Sequence, residues 1–154
     1  MRLNELLTLE SIENSVEVAS KKMSLEVASE MLATSVEGAE ADDIFSALLN
    51  RERLGSTGIG SGVGIPHCRI NGVDKAAAVL LSLKEPIDFD SIDNQPVDLI
   101  CALIVPDDGN DEHLQTLAGL AELFSNPSAI NALRSCETNQ ALYEAAVSYS
   151  SNGG

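Results

Sequence analysis

Aromatic residues are scarce in this 154-residue chain: two Tyr, three Phe and no Trp. So few flat rings leave little on which unpaired bases can stack. Basic residues are also few, nine Lys+Arg against 24 Asp+Glu, giving a formal charge of −15. Such a surface is repelled by phosphate backbones and anionic headgroups, which argues against nucleic-acid and membrane-surface roles. Cysteine is limited to Cys68, Cys101 and Cys136. An odd number at wide spacing suits a reducing cytosol better than a disulfide framework. No apolar run approaches bilayer-spanning length, and Met1–Glu5 opens no signal-type apolar core. The expectation is a cytoplasmic protein with no direct membrane insertion.

What is present is ordinary for a globular chain, 44% hydrophobic and 21% charged. That suffices to bury a core without metal or disulfide staples. One domain over residues 1–148 is expected, with a flexible polar tail at 149–154. Ser20 opens a helix carrying Met23, Val27 and Met31 at helical spacing. A second helix starts near Asp42-Asp43, whose carboxylates suit a helix N-terminus, and presents Ile44, Phe45, Leu48 and Leu49. Gly55 is expected to close it in a left-handed cap. Ala76–Leu83 and Val97–Val105 are near-continuous apolar runs of strand length, the pattern of strands covered on both faces. A helix from Asp111 carries Leu114, Leu117, Ala118, Ala121 and Phe124. Asn126-Pro127 reads as an N-cap followed by Pro at the first helical position. Thr138 or Asn139 caps a last helix with Leu142, Ala145, Ala146 and Tyr149 inward. This order predicts a three-layer α/β/α fold, a mixed β-sheet flanked by helices on both faces.

The informative stretch runs from Gly55 to His67 and holds five of the 11 glycines. From Gly58 the glycines alternate with Ile59, Ser61, Val63 and Ile65. An extended segment of that pattern bares its backbone on one face, open to another chain or an anion. A tight glycine-rich hairpin is the plainer reading. Two nucleotide motifs fail here. The dinucleotide fingerprint lacks its third glycine, since Val63 stands at that offset, and a P-loop needs a lysine that this region does not have. His67 ends the run, one of two histidines in the chain. Imidazole suits nucleophilic or proton-transfer work, although for an isolated histidine one satisfied by a hydrogen bond is the favoured reading. His113, in the first turn of the helix from Asp111, stands where a neutral imidazole can donate to an anion. Cys68 beside His67 does not make a dyad, because neighbours on a strand point to opposite faces. No zinc-ligand spacing is present, so neither metal nor cofactor is expected.

Three blocks carry a resemblance: Asn50–Gly60, then Val63-Gly64-Ile65-Pro66-His67, then Asp90–Leu99, with Ala102–Pro106 and His113-Leu114 following. They are similar to the IIA domains of the mannitol/fructose type in the bacterial phosphoenolpyruvate-dependent phosphotransferase system, with the nitrogen-regulatory members nearest. The resemblance implies a phosphohistidine carrier in which His67 accepts a phosphoryl group from an HPr-like phosphocarrier. It also implies that Arg51 and His113 lie around the phosphorylated site, with Ser56, Thr57 and Gly58 as the surrounding loop. Such a protein is a phosphotransferase component rather than a free-standing enzyme, and it acts by binding targets according to its phosphorylation state. Family targets include potassium-transport regulators and sensor kinases. The alternative is a sugar-specific fructose/mannitol IIA that passes its phosphoryl group to a IIB domain. The position after the histidine, usually Gly in the family, is Cys68 here, a departure that adds bulk beside the nucleophile and raises the hypothesis of redox-sensitive phosphotransfer.

Overall fold

The computed structural model describes residues 3–107 and 111–152, with the side chains of all of these but 111–113, 151 and 152. A short helix α1 (Leu3–Leu6) and a 3-10 turn (Leu9–Ser11) lead into β1 (Ile12–Val16). Helices α2 (Lys21–Ser35) and α3 (Ala41–Arg53) follow, then β2 (Gly58–Gly60), β3 (Val63–Gly64) and β4 (His67–Ile70). The long strands β5 (Ala77–Ile87) and β6 (Val97–Pro106) precede α4 (Asp111–Leu123), α5 (Pro127–Arg134) and α6 (Asn139–Asn152).

One mixed sheet runs β1-β5-β6-β3-β2, with β4 also paired to β6. The central pair β5 and β6 is antiparallel, while β1 lies parallel to β5. Both β3 and β4 lie parallel to β6, β3 beside Leu99 and Ile100 and β4 beside Leu103 to Pro106. The apolar runs foreseen as strands are these two central strands, buried along almost their whole length. Alternate residues feed two separate cores. Leu80, Leu99, Cys101 and Leu103 pack with α1, α4, α5 and α6. Leu81, Ile100, Ala102 and Ile104 pack with α2 and α3. The three-layer expectation holds.

Local signals are obeyed at the helix starts. Ser20 Oγ accepts from the Met23 amide at 3.1 Å, and Asn126 Oδ1 from Ser128 at 3.0 Å ahead of Pro127. Thr138 Oγ1 caps α6 by accepting from Ala141 at 3.0 Å. These side chains satisfy amides that the first helical turn leaves unpaired.

Four expectations are corrected. In α2 the buried stripe is Leu25, Ala28 and Leu32 with Ser24 and Ser29, while Met23 is 43% exposed. The small residues let α2 lie close to the sheet, with the serine hydroxyls bonded back to helix carbonyls at 2.6 and 2.7 Å. In α4 the buried side chains include Leu120 and Leu123, with Phe124 just beyond its end, and Leu114 points out at 58% exposure. Gly55 takes φ 156°, near-extended rather than the compact left-handed cap expected. Helix α6 continues to Asn152 through the stretch expected as tail, since Tyr149 packs on the core and Ser150 Oγ accepts from the Asn4 amide at 3.2 Å. Residues 153 and 154 lie outside the described residues.

Burial pushes the thiols of Cys68 and Cys101 from 9.0 up to about 12. Both hold their proton more tightly folded than unfolded, so this contribution to stability is complete below pH 9 and is lost as pH rises towards 12. The unfolding free energy is expected to fall above pH 9 with a slope of about 1.4 kcal/mol per pH unit for each thiol. Urea titrations across pH 8 to 11 read that slope directly. Cys101→Ala should lower stability overall yet make the slope shallower, and an unchanged slope contradicts the assignment.

Candidate functional site

The glycine run folds as an antiparallel hairpin, β2 against β3, with Ser61 and Gly62 at the turn. Its glycine face is not open to a partner or an anion, because this chain's own residues 88–98 fill it. The amide of Ile92 reaches the Gly58 carbonyl at 3.5 Å, and those of Asp98 and Leu99 reach the Gly62 carbonyl at 3.0 and 3.1 Å. Asp93 Oδ2 accepts from the Ser61 amide at 3.2 Å. The Phe89 ring lies where a Cβ on Gly64 would come within 3.0 Å of it. Of the three blocks behind the resemblance, the two that hold the glycine hairpin and the Asp90–Leu99 block thus interlock as one loop pair.

Arg134, at the end of α5, locks the turn from the other side. Its Nε donates to both Asp98 carboxylate oxygens at 2.9 Å, and its Nη2 donates to the Ser61 carbonyl. Gly62 has φ 79°, and a Cβ there would overlap that Nη2. Gly62→Ala is therefore expected to cost about 1–2 kcal/mol in backbone strain alone, and more once Arg134 is displaced. Ser61→Gly is the control: its φ is already 58°, so losing the side chain should be nearly neutral. Urea midpoints of the two variants test this, and equal midpoints contradict it.

Residues 56–58 are pinned by bonds within the chain. The Thr57 amide and hydroxyl donate to the Glu52 carboxylate at 3.1 and 2.6 Å. Lys21 Nζ meets the same carboxylate at 2.9 Å and lies 4.7 Å from the centre of the Phe89 ring. Ser56 Oγ donates to the Phe89 carbonyl at 2.6 Å and accepts from the Gly58 amide at 3.0 Å. Ser56, Thr57 and Gly58 do not line the cavity at His67, and these donors already have partners. They fix the path of the chain into the hairpin.

His67 opens β4, half-buried, directly after Pro66. Its Nδ1 lies 2.8 Å from the Ile65 carbonyl oxygen. A carbonyl only accepts, so Nδ1 carries the ring proton and the lone pair of the neutral imidazole is on Nε2. His67 lines a cavity of about 460 Å³. Arg51 of α3 and Leu54 just beyond its end form one wall, and Leu114 and Leu117 of α4 form the other. The floor is β4 with Leu103 and Val105 of β6, and among the described residues no strand pairs with the far edge of β4. Arg51 Nη1 donates to the Gly55 carbonyl at 2.9 Å, which anchors one branch of its fork beside the cavity.

The structure therefore brings Arg51 and His67 to one cavity. His113 is the third residue of α4, next to Leu114 on the cavity wall, but its side chain lies outside the described residues. Cys68 also reaches the cavity, yet it is 9% exposed and packed into the α2–α3 core. Its raised thiol is almost wholly protonated at neutral pH, and oxidants attack the thiolate. That environment works against the redox sensitivity envisaged for it. Sequence reasoning passed over Glu52 and Lys21, whose only local signal is that a Glu on the inner side of a helix needs a partner.

A family model described as "Phosphoenolpyruvate-dependent sugar phosphotransferase system, EIIA 2" matches residues 5–147. The chain belongs to this family. A "Nitrogen regulatory protein" of Pseudomonas aeruginosa is 39% identical over 147 residues, covering 96% of each chain. The crystal structure of nitrogen regulatory protein IIA-Ntr from Neisseria meningitidis superposes with a TM-score of 0.88 at 38% identity, over 94% of this chain and 98% of that one. A fructose-specific EIIA component of Haloferax volcanii is 32% identical over 117 residues, 74% of this chain and 76% of its own length. The likeness is thus fuller to nitrogen regulatory proteins than to this sugar-specific relative, and the sugar-specific reading is the weaker one.

Proposed function

We propose that the protein is a cytoplasmic phosphohistidine carrier of the nitrogen-regulatory type, phosphorylated on Nε2 of His67. The observation that carries this is the Nδ1 bond to the Ile65 carbonyl, which leaves the nucleophilic lone pair on Nε2 of a residue facing the same cavity as Arg51. In the transfer, Nε2 attacks phosphorus in line. A bond forms from Nε2 to phosphorus as the bond from phosphorus to the donor's histidine nitrogen breaks. Such chemistry needs positioning and charge stabilisation rather than covalent machinery. Nδ1 keeps its proton and its hydrogen bond to the Ile65 carbonyl throughout, which stabilises the positive charge that grows on the ring. Arg51 offers the free part of its fork to the phosphoryl oxygens. His113, which the resemblance assigns to the site, stands on the helix that forms the opposite wall. Ser56, Thr57 and Gly58 act indirectly by holding the segment that leads to His67.

The donor is an HPr-like phosphocarrier protein that docks on the apolar rim, where Leu54 is 85% and Leu114 58% exposed. Phosphorylation adds negative charge at the centre of that rim, so one surface is read differently by targets in the two states. Potassium-transport regulators and sensor kinases are the target classes to screen with both forms. The test is intact-mass spectrometry at alkaline pH after incubation with phosphoenolpyruvate and the general phosphotransferase proteins. One acid-labile phosphoryl adduct is expected. No adduct, while a control IIA protein in the same mixture is labelled, refutes the reading. Rapid onward transfer to a sugar-specific IIB domain would instead place the protein in carbohydrate uptake.

A further inference from the structure

Several of the nine basic side chains are engaged. Lys21 is held by Glu52, Lys84 by Glu17 and Arg134 by Asp98. Arg53 donates to Asn50, and Arg51 donates to the Gly55 carbonyl. Arg69 is different. It is exposed and makes no hydrogen bond or ion pair with the described residues, yet it lines the His67 cavity. It stands two residues beyond His67 on β4, so the two side chains leave the same face about 6.6 Å apart. Their partners in the register, Leu103 and Val105, form the floor between them. Arg51 comes in from α3, above the strand.

We propose that Arg69 is a second guanidinium for the phosphoryl group on His67, closing on it from along β4 while Arg51 closes from α3. This rests on His67 being the acceptor. The physical need is plain: a chain of formal charge −15 has to admit a dianionic phosphoryl group into a cavity whose walls and floor include Leu54, Leu103, Val105, Leu114 and Leu117. Field lines in such a site are poorly screened, and one guanidinium with a branch already committed leaves phosphoryl oxygens without donors. An unpaired guanidinium on a strand, two residues from the nucleophile, needs only a rotamer change to supply them. Its planar fork suits the three equatorial oxygens of the transferring group.

The experiment compares Arg69→Gln and Arg69→Lys with the wild type, using two phosphoryl donors. One is the phosphorylated HPr-like protein. The other is phosphoramidate, which carries a phosphoryl group but no docking surface. Arg69→Gln should slow phosphorylation from both donors by a similar factor, on the order of tenfold to a hundredfold, and Arg69→Lys should recover part of the rate. Its urea midpoint should be unchanged, because the side chain holds nothing in the fold. Slowing with the protein donor alone makes Arg69 a docking contact and overturns the proposal, as do unchanged rates with both. If the wild type takes phosphoryl from neither donor while a control IIA protein does, the acceptor assignment of His67 fails first and this inference falls with it.

Discussion

His67→Ala is expected to abolish the acid-labile phosphoryl adduct, since no other described side chain combines a free imidazole nitrogen with this cavity. The fold should survive. His67 is half-buried at the start of an edge strand, and the one bond lost, Nδ1 to the Ile65 carbonyl, is worth about 1 kcal/mol. Phosphorylated wild type should carry its phosphorus on Nε2, which proton–phosphorus couplings in the imidazole ring distinguish from the Nδ1 isomer. Phosphorus on Nδ1 would require the Ile65 bond to be broken and would contradict the tautomer argument. Arg51→Gln should leave the adduct possible but slow its formation by about a hundredfold, the usual cost of losing one preorganised donor at a developing charge. An adduct that persists undiminished in His67→Ala places the acceptor elsewhere, with His113 the first position to map.

Glu52→Ala should be the most damaging substitution for stability outside the two cores, at about 3–5 kcal/mol, the cost of removing one partner from a buried ion pair. The Glu52 side chain is 3% exposed and serves three donors: the Thr57 amide, the Thr57 hydroxyl and Lys21 Nζ. Its removal leaves the ammonium of Lys21, 18% exposed, with the Phe89 ring and a distant Asp90 at 3.9 Å. The Thr57 amide loses its acceptor in a buried position, and the loop into the glycine hairpin loses its tie to α3. Glu52→Gln should fall between, because the amide oxygen still accepts from Thr57 but no longer neutralises Lys21. Urea unfolding of the three proteins decides it: a loss under about 1 kcal/mol for Glu52→Ala means the network is replaceable by water. The same variant should phosphorylate more slowly, because Arg51 is the adjacent residue of the helix that Glu52 anchors.

Much of this protein is legible from its sequence because the signals are local. Ser20, Asn126-Pro127 and Thr138 open helices through contacts within one turn, and the two apolar runs read as strands covered on both faces. The blocks around the Ile-Pro-His segment identify the family and single out His67. Other features depend on what packs opposite, which no spacing reveals. The apolar repeat Met23, Val27 and Met31 is helical in spacing, but so is Leu25, Ala28 and Leu32, and the sheet takes this second face, whose small residues let α2 approach closely. The glycines bare a backbone face, and only the tertiary fold decides that residues 88–98 and Arg134 fill it, which turns an apparent docking surface into an internal lock. Ser56 and Thr57 look like phosphate donors by position, yet Phe89 and Glu52 claim their hydroxyls. The pairing of β4 with one side of β6 alone, leaving its edge open between α3 and α4, is likewise a product of sheet order. The residues of the chemistry were therefore determined locally, whereas the choice of which donors are free for it was made by packing, because a hydrogen-bonding group already satisfied inside the fold is no longer available to a ligand.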